Sequence, residues 1–460
     1  MLHDPTRKEA PMFGRPSRQQ RQLNVARELF THLGELLDSP ISVRLWDGSV
    51  IPLGSQVRPG VEISLSGPGV MGSLLRRPTP DNLLRHFVRG HIDYHGTDFF
   101  TLLETARVRN SRQRARRLKK SLLARVAMTF LTARSDDVTV EHRFAGDETG
   151  RRRVQKDNRD YIQFHYYLSN DFYRTFLDPN MVYSCAYFRD WNTSLEQAQL
   201  DKLDMICRKL RLQPGDRFLD IGCGWGALVC HAAEHYGVQA HGITLSNEQL
   251  ALAREKIRSR GLEDRVQVEL CDYADVQGQY DKIASIGMVE HVGIDNMMGY
   301  MRKIRSLLTA RGMFLNHGIT RRAKASKRKF LHITPERRLL AKYIFPGGEL
   351  DHLGHMTECL EASGFEVHDV EGWRDHYALT CKHWAQRLEA NRETAIEQVG
   401  EERYRMWLLY LAGVSIVLGD GSACIFQTVA TNRSSKGQSG MPPTRAHLYT
   451  PQPKSASYAA

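Results

Sequence analysis

The stretch Arg217-Phe218-Leu219-Asp220-Ile221-Gly222-Cys223-Gly224-Trp225-Gly226 decides the fold of this chain. Its first half is a short apolar run that stops at a glycine-rich turn, the pattern of a buried strand. Ala227 to Tyr236 follow at helical spacing. Outward from this unit the same alternation repeats. Leu200 to Leu212 is a helix, Val238 to Ile243 a second strand, and Asn247 to Arg260 its crossover helix. Val266 to Leu270 and Lys282 to Ile286 make strands three and four. Met313 to Leu315, Phe365 to Val370 and Cys424 to Val429 complete a set of seven. Strands alternating with helices predict a doubly wound α/β sheet.

A glycine-rich turn between strand and helix lets a ligand approach the backbone, and the helix N-terminus offers free N–H groups to a carboxylate or phosphate. Gly-x-Gly-x-Gly alone is a weak signal, with an ordinary tight turn as the alternative. Here it directly follows a strand carrying Asp220. The spacing is not the dinucleotide Gly-x-Gly-x-x-Gly. It fits a Rossmann-like class I methyltransferase binding S-adenosylmethionine (SAM), with a smaller α+β domain in front.

The 460 residues are 41% hydrophobic and 25% charged, which excludes wholesale disorder and a polytopic membrane protein. Lys plus Arg exceed Asp plus Glu by 64 to 52, giving +12 and an expected affinity for polyanions, either nucleic acid or anionic lipid. The eight cysteines form no C-x-x-C pair, so no metal site is expected and the thiols are taken as reduced. Met1 to Gln22 has no apolar run to serve as a signal peptide, and Met406 to Leu418 is too short to span a bilayer. These features predict a cytoplasmic protein whose membrane contact is peripheral.

The expected organisation is a disordered basic lead-in over 1–22, a lipid-binding-like domain over 23–133, a linker over 134–160, the catalytic domain over 161–432 and an extended tail over 433–460. In the front domain, a helix from Leu23 to Leu37 precedes the alternating runs Ile41 to Leu45 and Val61 to Leu65, read as a small antiparallel sheet. Thr79-Pro80-Asp81 opens a further helix. Arg107 to Arg125 holds nine basic residues and no acid, followed by Val126, Met128, Phe130 and Leu131. That segment is either a solvated helix face or one that settles on an anionic membrane. A second basic run opens the insertion Arg321 to Gly348, which closes on Tyr343-Ile344-Phe345-Pro346. It reads as an interfacial flap, with a solvated surface loop as the alternative.

Residues 161–431 resemble the cyclopropane fatty acid synthases, SAM-dependent enzymes that methylenate the cis double bond of phospholipid acyl chains. The resemblance rests on words in family order: His165-Tyr166-x-x-x-Asn170-Asp171-Phe172-Tyr173, Tyr183-Ser184-Cys185-Ala186-Tyr187-Phe188 and Leu219 to Gly226. Thr244-Leu245-Ser246-x-x-Gln249, Gly287-Met288-Val289-Glu290-His291-Val292-Gly293, Tyr343 to Gly348 and His376-Tyr377-Ala378 continue it. It implies Thr244 and Gln249 as ribose or methionine contacts, Asp272 on the adenine side, and Gly222, Gly224 and Trp225 at the methionine end, beside Asp220. It also implies a bound bicarbonate as catalytic base, held by Cys185, Glu290, His317, the backbone of Ile319 and Tyr377.

The implied chemistry gives these types a purpose. An alkene is a weak nucleophile, so methyl transfer leaves a carbocation-like centre, and a proton must leave the new methyl before the ring closes. That calls for a nearby base, exclusion of water and aromatic faces. Glu290 and His317 are expected to pair and orient the ion, with Tyr377 donating its hydroxyl proton. Taken singly, Cys185 would read as a core residue, Glu290 as a helix cap and His291 as structural. Tyr167, Ser169 and Asn316 depart from the family pattern, the first two in the substrate loop and the third beside His317.

The function expected is therefore cyclopropanation of unsaturated acyl chains at an anionic phospholipid surface, with homodimer formation left open. A hydride shift before proton loss would instead give methyl- or methylene-branched chains. A nucleic-acid methyltransferase has the charge in its favour but lacks an Asn-Pro-Pro-Tyr-type base-flipping word, so no nucleic acid partner is expected. A non-catalytic lipid-binding protein is the third class.

Overall fold

A computed structural model describes residues 17–107, 113–114, 116–135, 138–141, 161, 164, 168–434 and 437–450. It forms two compact units, 1–139 and 140–460.

The first unit begins with helix α1 (Arg18–Leu37), capped by the Ser17 hydroxyl, which accepts from the Gln20 N–H at 3.1 Å. The cap starts the helix ahead of its apolar periodicity, so Arg18 to Gln22 are helical and not part of a disordered lead-in. β1 (Ser42–Arg44), β2 (Val50–Pro52) and β3 (Glu62–Leu65) follow, then helices α2 (Pro68–Arg76) and α3 (Pro80–Val88), β4 (Ile92–His95) and α4 (Phe99–Thr105). The sheet order is β2-β1-β3-β4, with β1 and β3 parallel. The sheet is thus mixed, not antiparallel throughout. β1 spends one edge on its hairpin partner β2, and the returning chain lays β3 along the other edge. Helix α5 (Lys120–Phe130) packs on α1 and α2 through Leu122, Val126 and Phe130. Two of the apolar residues expected to face a membrane therefore belong to this unit's own core, while Leu123, Met128 and Leu131 stay exposed.

The second unit carries α6 (Asn170–Arg174) and α7 (Leu195–Leu210) ahead of β5 (Arg217–Ile221), α8 (Ala227–Tyr236), β6 (Gln239–Thr244), α9 (Asn247–Ser259) and β7 (Val266–Leu270). β8 (Tyr280–Ile286), the short α10 (Val289–Val292), α11 (Met297–Leu307) and β9 (Leu308–Arg321) come next. The insertion forms α12 (Lys327–Leu331) and α13 (Pro335–Tyr343). Then come α14 (Leu353–Ala362), β10 (Phe365–Gly372), α15 (Arg374–Ala390), α16 (Arg392–Gly419) and β11 (Ala423–Asn432).

The seven strands lie in the order β10-β11-β9-β8-β5-β6-β7, with β11 antiparallel to both neighbours. Alternating residues of β5 feed two cores: Phe218 packs with Leu203, Val229 and Ala253 on one face, Leu219 and Ile221 with Met301, Ile304 and Leu360 on the other. Chain order reverses beside β5, which has β6 on one side and β8 on the other. This opens a crevice at the carboxyl ends of the strands, where ligands bind in such sheets.

One expectation about chain segments needs correction, that of an extended tail over 433–460. Helix α17 (Ala446–Tyr449) follows β11, with Leu448 buried and Arg208 Nη1 donating to the Thr450 carbonyl at 2.6 Å. An ion pair from Arg445 to Asp369 adds to this, so 437–450 is docked rather than freely extended. Met406 to Leu418 lies inside α16, which kinks at Gly400. Among the described residues no helix is long and apolar enough to cross a membrane. The proposed linker 134–160 falls mostly outside the described residues.

Candidate active site

Asp220, Gly222, Gly224, Trp225, Thr244, Gln249 and Asp272 all line one cleft at the carboxyl ends of β5, β6 and β7. The glycine turn needs its glycines. Gly222 sits at φ +81°, and a Cβ there would lie 2.8 Å from Met288 Sδ. Gly224, at φ +53°, has no atom within 4 Å of where a Cβ would stand, so its side of the turn is open space. The Thr244 hydroxyl donates to Gln249 Oε1 at 2.7 Å, and the Ser246 hydroxyl caps α9 by accepting the Gln249 N–H at 3.3 Å. Trp225 Nε1 donates to Asn170 Oδ1 at 2.7 Å, and Asn170 Nδ2 donates to the Glu248 carbonyl at 3.3 Å. Asn170 thereby ties the glycine turn to the start of α9. Asp220 is buried, its Oδ1 has no partner, and burial pushes its carboxyl up to about 7 against the pull of Lys202.

A second group gathers around β9. Glu290, on α10, accepts the Ile319 N–H at 2.5 Å through Oε1, while Oε2 is buried without a partner. Burial raises its carboxyl to about 7. His317, on β9, sits with Nδ1 3.1 Å from the Gln427 amide nitrogen, and its Nε2 has no partner. Burial keeps the imidazole neutral by holding its pKa well below the usual value. If the Gln427 amide donates to Nδ1, the single proton of the neutral ring stands on Nε2 as an unused donor. The Trp373 ring meets His317 edge-on at 5.2 Å, and the Trp373 carbonyl accepts the Tyr377 N–H at 3.0 Å. Burial drives the Tyr377 hydroxyl well above the ordinary tyrosine value, reinforced by Cys381, Tyr410, Cys185 and Glu290.

Several expected contacts are replaced by others. Glu290 and His317 do not pair: the Ile319 N–H engages the first and the Gln427 amide the second. The Ile319 N–H is consequently occupied by a side chain. The Cys185 thiol is buried and directed at the Ala186 and Trp373 carbonyls, and none of Cys185, Glu290, His317, Ile319 and Tyr377 is among the residues lining the glycine-turn cleft. Asn316 is buried, but as the strand neighbour of His317 it faces the opposite side of the sheet and does not retune that pocket. Ser169 caps α6, accepting the Phe172 N–H at 3.2 Å, and its hydroxyl donates to Gln398 Oε1 at 3.3 Å. Tyr167, with His165 and Tyr166, lies outside the described residues.

Tyr183, Ser184, Lys202 and His291 also line the cleft and were not among the expected site residues. Tyr183 and Ser184 lay inside a quoted word, whereas Lys202 had no local signal beyond its place on α7. Tyr183 belongs to an aromatic group with Tyr173, Phe176, Trp384 and Trp407, its ring 5.1 Å from Trp384. His291, expected to be structural, stacks on Phe345 of the insertion at 4.5 Å. The insertion's apolar end is thus seated beside Glu290, whose carbonyl accepts the Glu349 N–H at 3.0 Å. Its basic start, Arg322 to Lys329, is exposed.

Residues 153–428 match the family model for mycolic acid cyclopropane synthetase. The chain is 36% identical over 419 residues to a probable fatty acid methyltransferase of Pseudomonas putida, covering 90% of this chain and 97% of that protein. It is 38% identical over 263 residues to cyclopropane mycolic acid synthase 1 of Mycobacterium tuberculosis, covering 55% and 90% respectively. Among solved structures, mycolic acid cyclopropane synthase CmaA1 complexed with SAH and CTAB superposes with a TM-score of 0.56 at 34% identity, covering 59% of this chain and 98% of that one.

Proposed function

The chain belongs to the mycolic acid cyclopropane synthetase family, and on that premise we propose that it is a SAM-dependent methyltransferase that closes cyclopropane rings on cis-unsaturated acyl chains of membrane phospholipids. The observation that carries this is the pair of orphaned buried polar atoms, Glu290 Oε2 and His317 Nε2, in the unit that also holds the glycine-turn cleft. A buried donor and a carboxyl that is half protonated near neutrality suit a small oxyanion, so the residues present fit a bicarbonate. Glu290, His317 and Tyr377 would hold it, with Glu290 itself fixed by the Ile319 N–H.

When bound, SAM supplies the methyl group and bicarbonate a base. The protein's own part is positioning and shielding. The seven cleft residues named above would seat the cofactor, with Gly224 leaving room for it against the backbone. Tyr183, Trp384 and Trp407 offer electron-rich faces that would stabilise positive charge developing on an acyl chain. Burial of Glu290, His317 and Tyr377 excludes water that would otherwise capture that charge.

An acyl-chain substrate is supported by the fatty acid methyltransferase of P. putida, whose likeness extends over 90% of this chain. That name equally favours a second product, a methyl- or methylene-branched chain, since both outcomes share the first methyl transfer. The peripheral contact would use the exposed basic run of the insertion, Arg322 to Lys329.

Vesicles of an anionic, cis-monounsaturated phospholipid incubated with methyl-labelled SAM test the proposal by mass spectrometry of the released fatty acids. A labelled gain of one CH₂ without a remaining double bond is expected. The same gain with the alkene retained supports the branched product, and unlabelled lipid refutes both.

A further inference from the structure

Lys202 is a buried cation that the chemistry above does not use. It sits on α7 with 2% of its surface exposed and lines the cleft together with Ser184, Asp220 and Gly222. Its Nζ donates to Ser184 Oγ at 2.9 Å. Among the described residues no carboxylate lies within ion-pair distance of it. An ammonium has three donors, and a buried one without a counter-ion is expensive. Burial lowers its ammonium to about 8, against Asp178, Cys185 and Asp220, which lie near enough to favour the charged form electrostatically. Asp178, however, already accepts the Asn180 and Val182 N–H groups, and Asp220 forms no hydrogen bond to Lys202.

The surroundings hold this ammonium in place. Gln199, one turn earlier on the same face of α7, donates to the carbonyls of Val182 at 3.3 Å and Ser184 at 3.0 Å. Helix α7 therefore clamps the loop that forms one wall of the cleft and presents the Lys202 Nζ and the Ser184 hydroxyl side by side. Such a rigid, dry, positively charged corner matches a carboxylate.

We propose that Lys202, with Ser184 beside it, is the counter-ion for the α-carboxylate of the cofactor's amino-acid head, and so selects ligands that carry that carboxylate. This rests on the cofactor assignment above and adds the residue that reads the charge of its head.

The test is a binding cycle that needs no turnover. Calorimetry measures the affinity of wild type and Lys202→Met for S-adenosylhomocysteine and for its decarboxylated analogue. Wild type should prefer the carboxylate-bearing ligand by about 10- to 100-fold. Lys202→Met should lose that factor for S-adenosylhomocysteine, bind the analogue within about threefold of wild type, and show little preference between them. Equal weakening of both ligands would mean a merely structural lysine and would overturn the inference. So would a preference that survives in Lys202→Met. Should that variant not fold, Lys202→Gln takes its place. Wild type alone remains decisive, because equal affinity for the two ligands refutes carboxylate recognition outright. Failure of wild type to bind either ligand would remove the cofactor assignment together with this inference, whereas binding without discrimination removes this inference alone.

Discussion

Replacing Glu290 by Gln should make the second unit more tolerant of alkaline pH while removing most of its activity. The Glu290 carboxyl is raised from 4.5 to about 7 by burial. A carboxyl whose pKa is higher folded than unfolded holds its proton more tightly in the folded state. It therefore favours folding at low pH, and that contribution is lost as pH rises from about 4.5 through about 7. Above about pH 7 the folded protein bears a buried anion that Gln would not carry. Weighting the two states by these pKa values, the stability of Glu290→Gln relative to wild type should improve by about 2–3 kcal/mol between pH 5 and pH 8. Any fixed cost of burying an amide, about 1–3 kcal/mol, cancels from that difference. Asp220, also raised to about 7, titrates in both proteins and cancels too. Five of the six tryptophans lie in this unit, Trp46 being the exception, so urea unfolding followed by tryptophan fluorescence in bicarbonate-free buffer reads it directly. S-Adenosylhomocysteine affinity should be kept and turnover should fall by about 10²-fold or more. Parallel stability profiles for the two proteins from pH 5 to pH 8 would refute a buried, proton-holding Glu290.

The glycine turn offers a contrasting pair. Gly224→Ala meets no protein atom, so it should cost only about 1–2 kcal/mol of left-handed strain yet weaken S-adenosylhomocysteine binding at least tenfold by calorimetry. Gly222→Ala carries similar strain and must also displace Met288, so its melting temperature should fall further than that of Gly224→Ala. Asn170→Ala leaves the Trp225 indole N–H without its 2.7 Å partner and should destabilise by about 1–3 kcal/mol in urea titrations, together with weaker ligand binding. Charge reversal at the exposed Lys324 and Lys327 should reduce sedimentation with anionic vesicles and lower activity on them, while S-adenosylhomocysteine affinity stays at the wild-type value. Unchanged vesicle binding would take the basic run out of the membrane contact.

What was legible in the sequence, and what was not, follows the range of the interactions involved. The β5 word announced a buried strand and a tight turn because each of its residues is constrained by immediate neighbours, whereas Thr244, Gln249 and Asp272, which line the same cleft, were named only through the family resemblance. Helix α1 began earlier than its apolar spacing because one local hydrogen bond, at Ser17, overrides periodicity. Strand pairing was harder, since the parallel contact of β1 with β3 depends on where β2 has already gone. The site around Glu290 shows the limit most sharply. Its residue types were foreseeable, but its partners were not, because Ile319 lies 29 residues away and the Gln427 that engages His317 lies 110 away. Lys202 was invisible for the opposite reason. A helix that buries Lys202, Arg208 and Lys209 reads from its sequence as an ordinary surface helix until its neighbours are known: Lys209 finds Glu371 and Arg208 finds Asp204, and only the cleft turns Lys202 into a charge in need of a ligand.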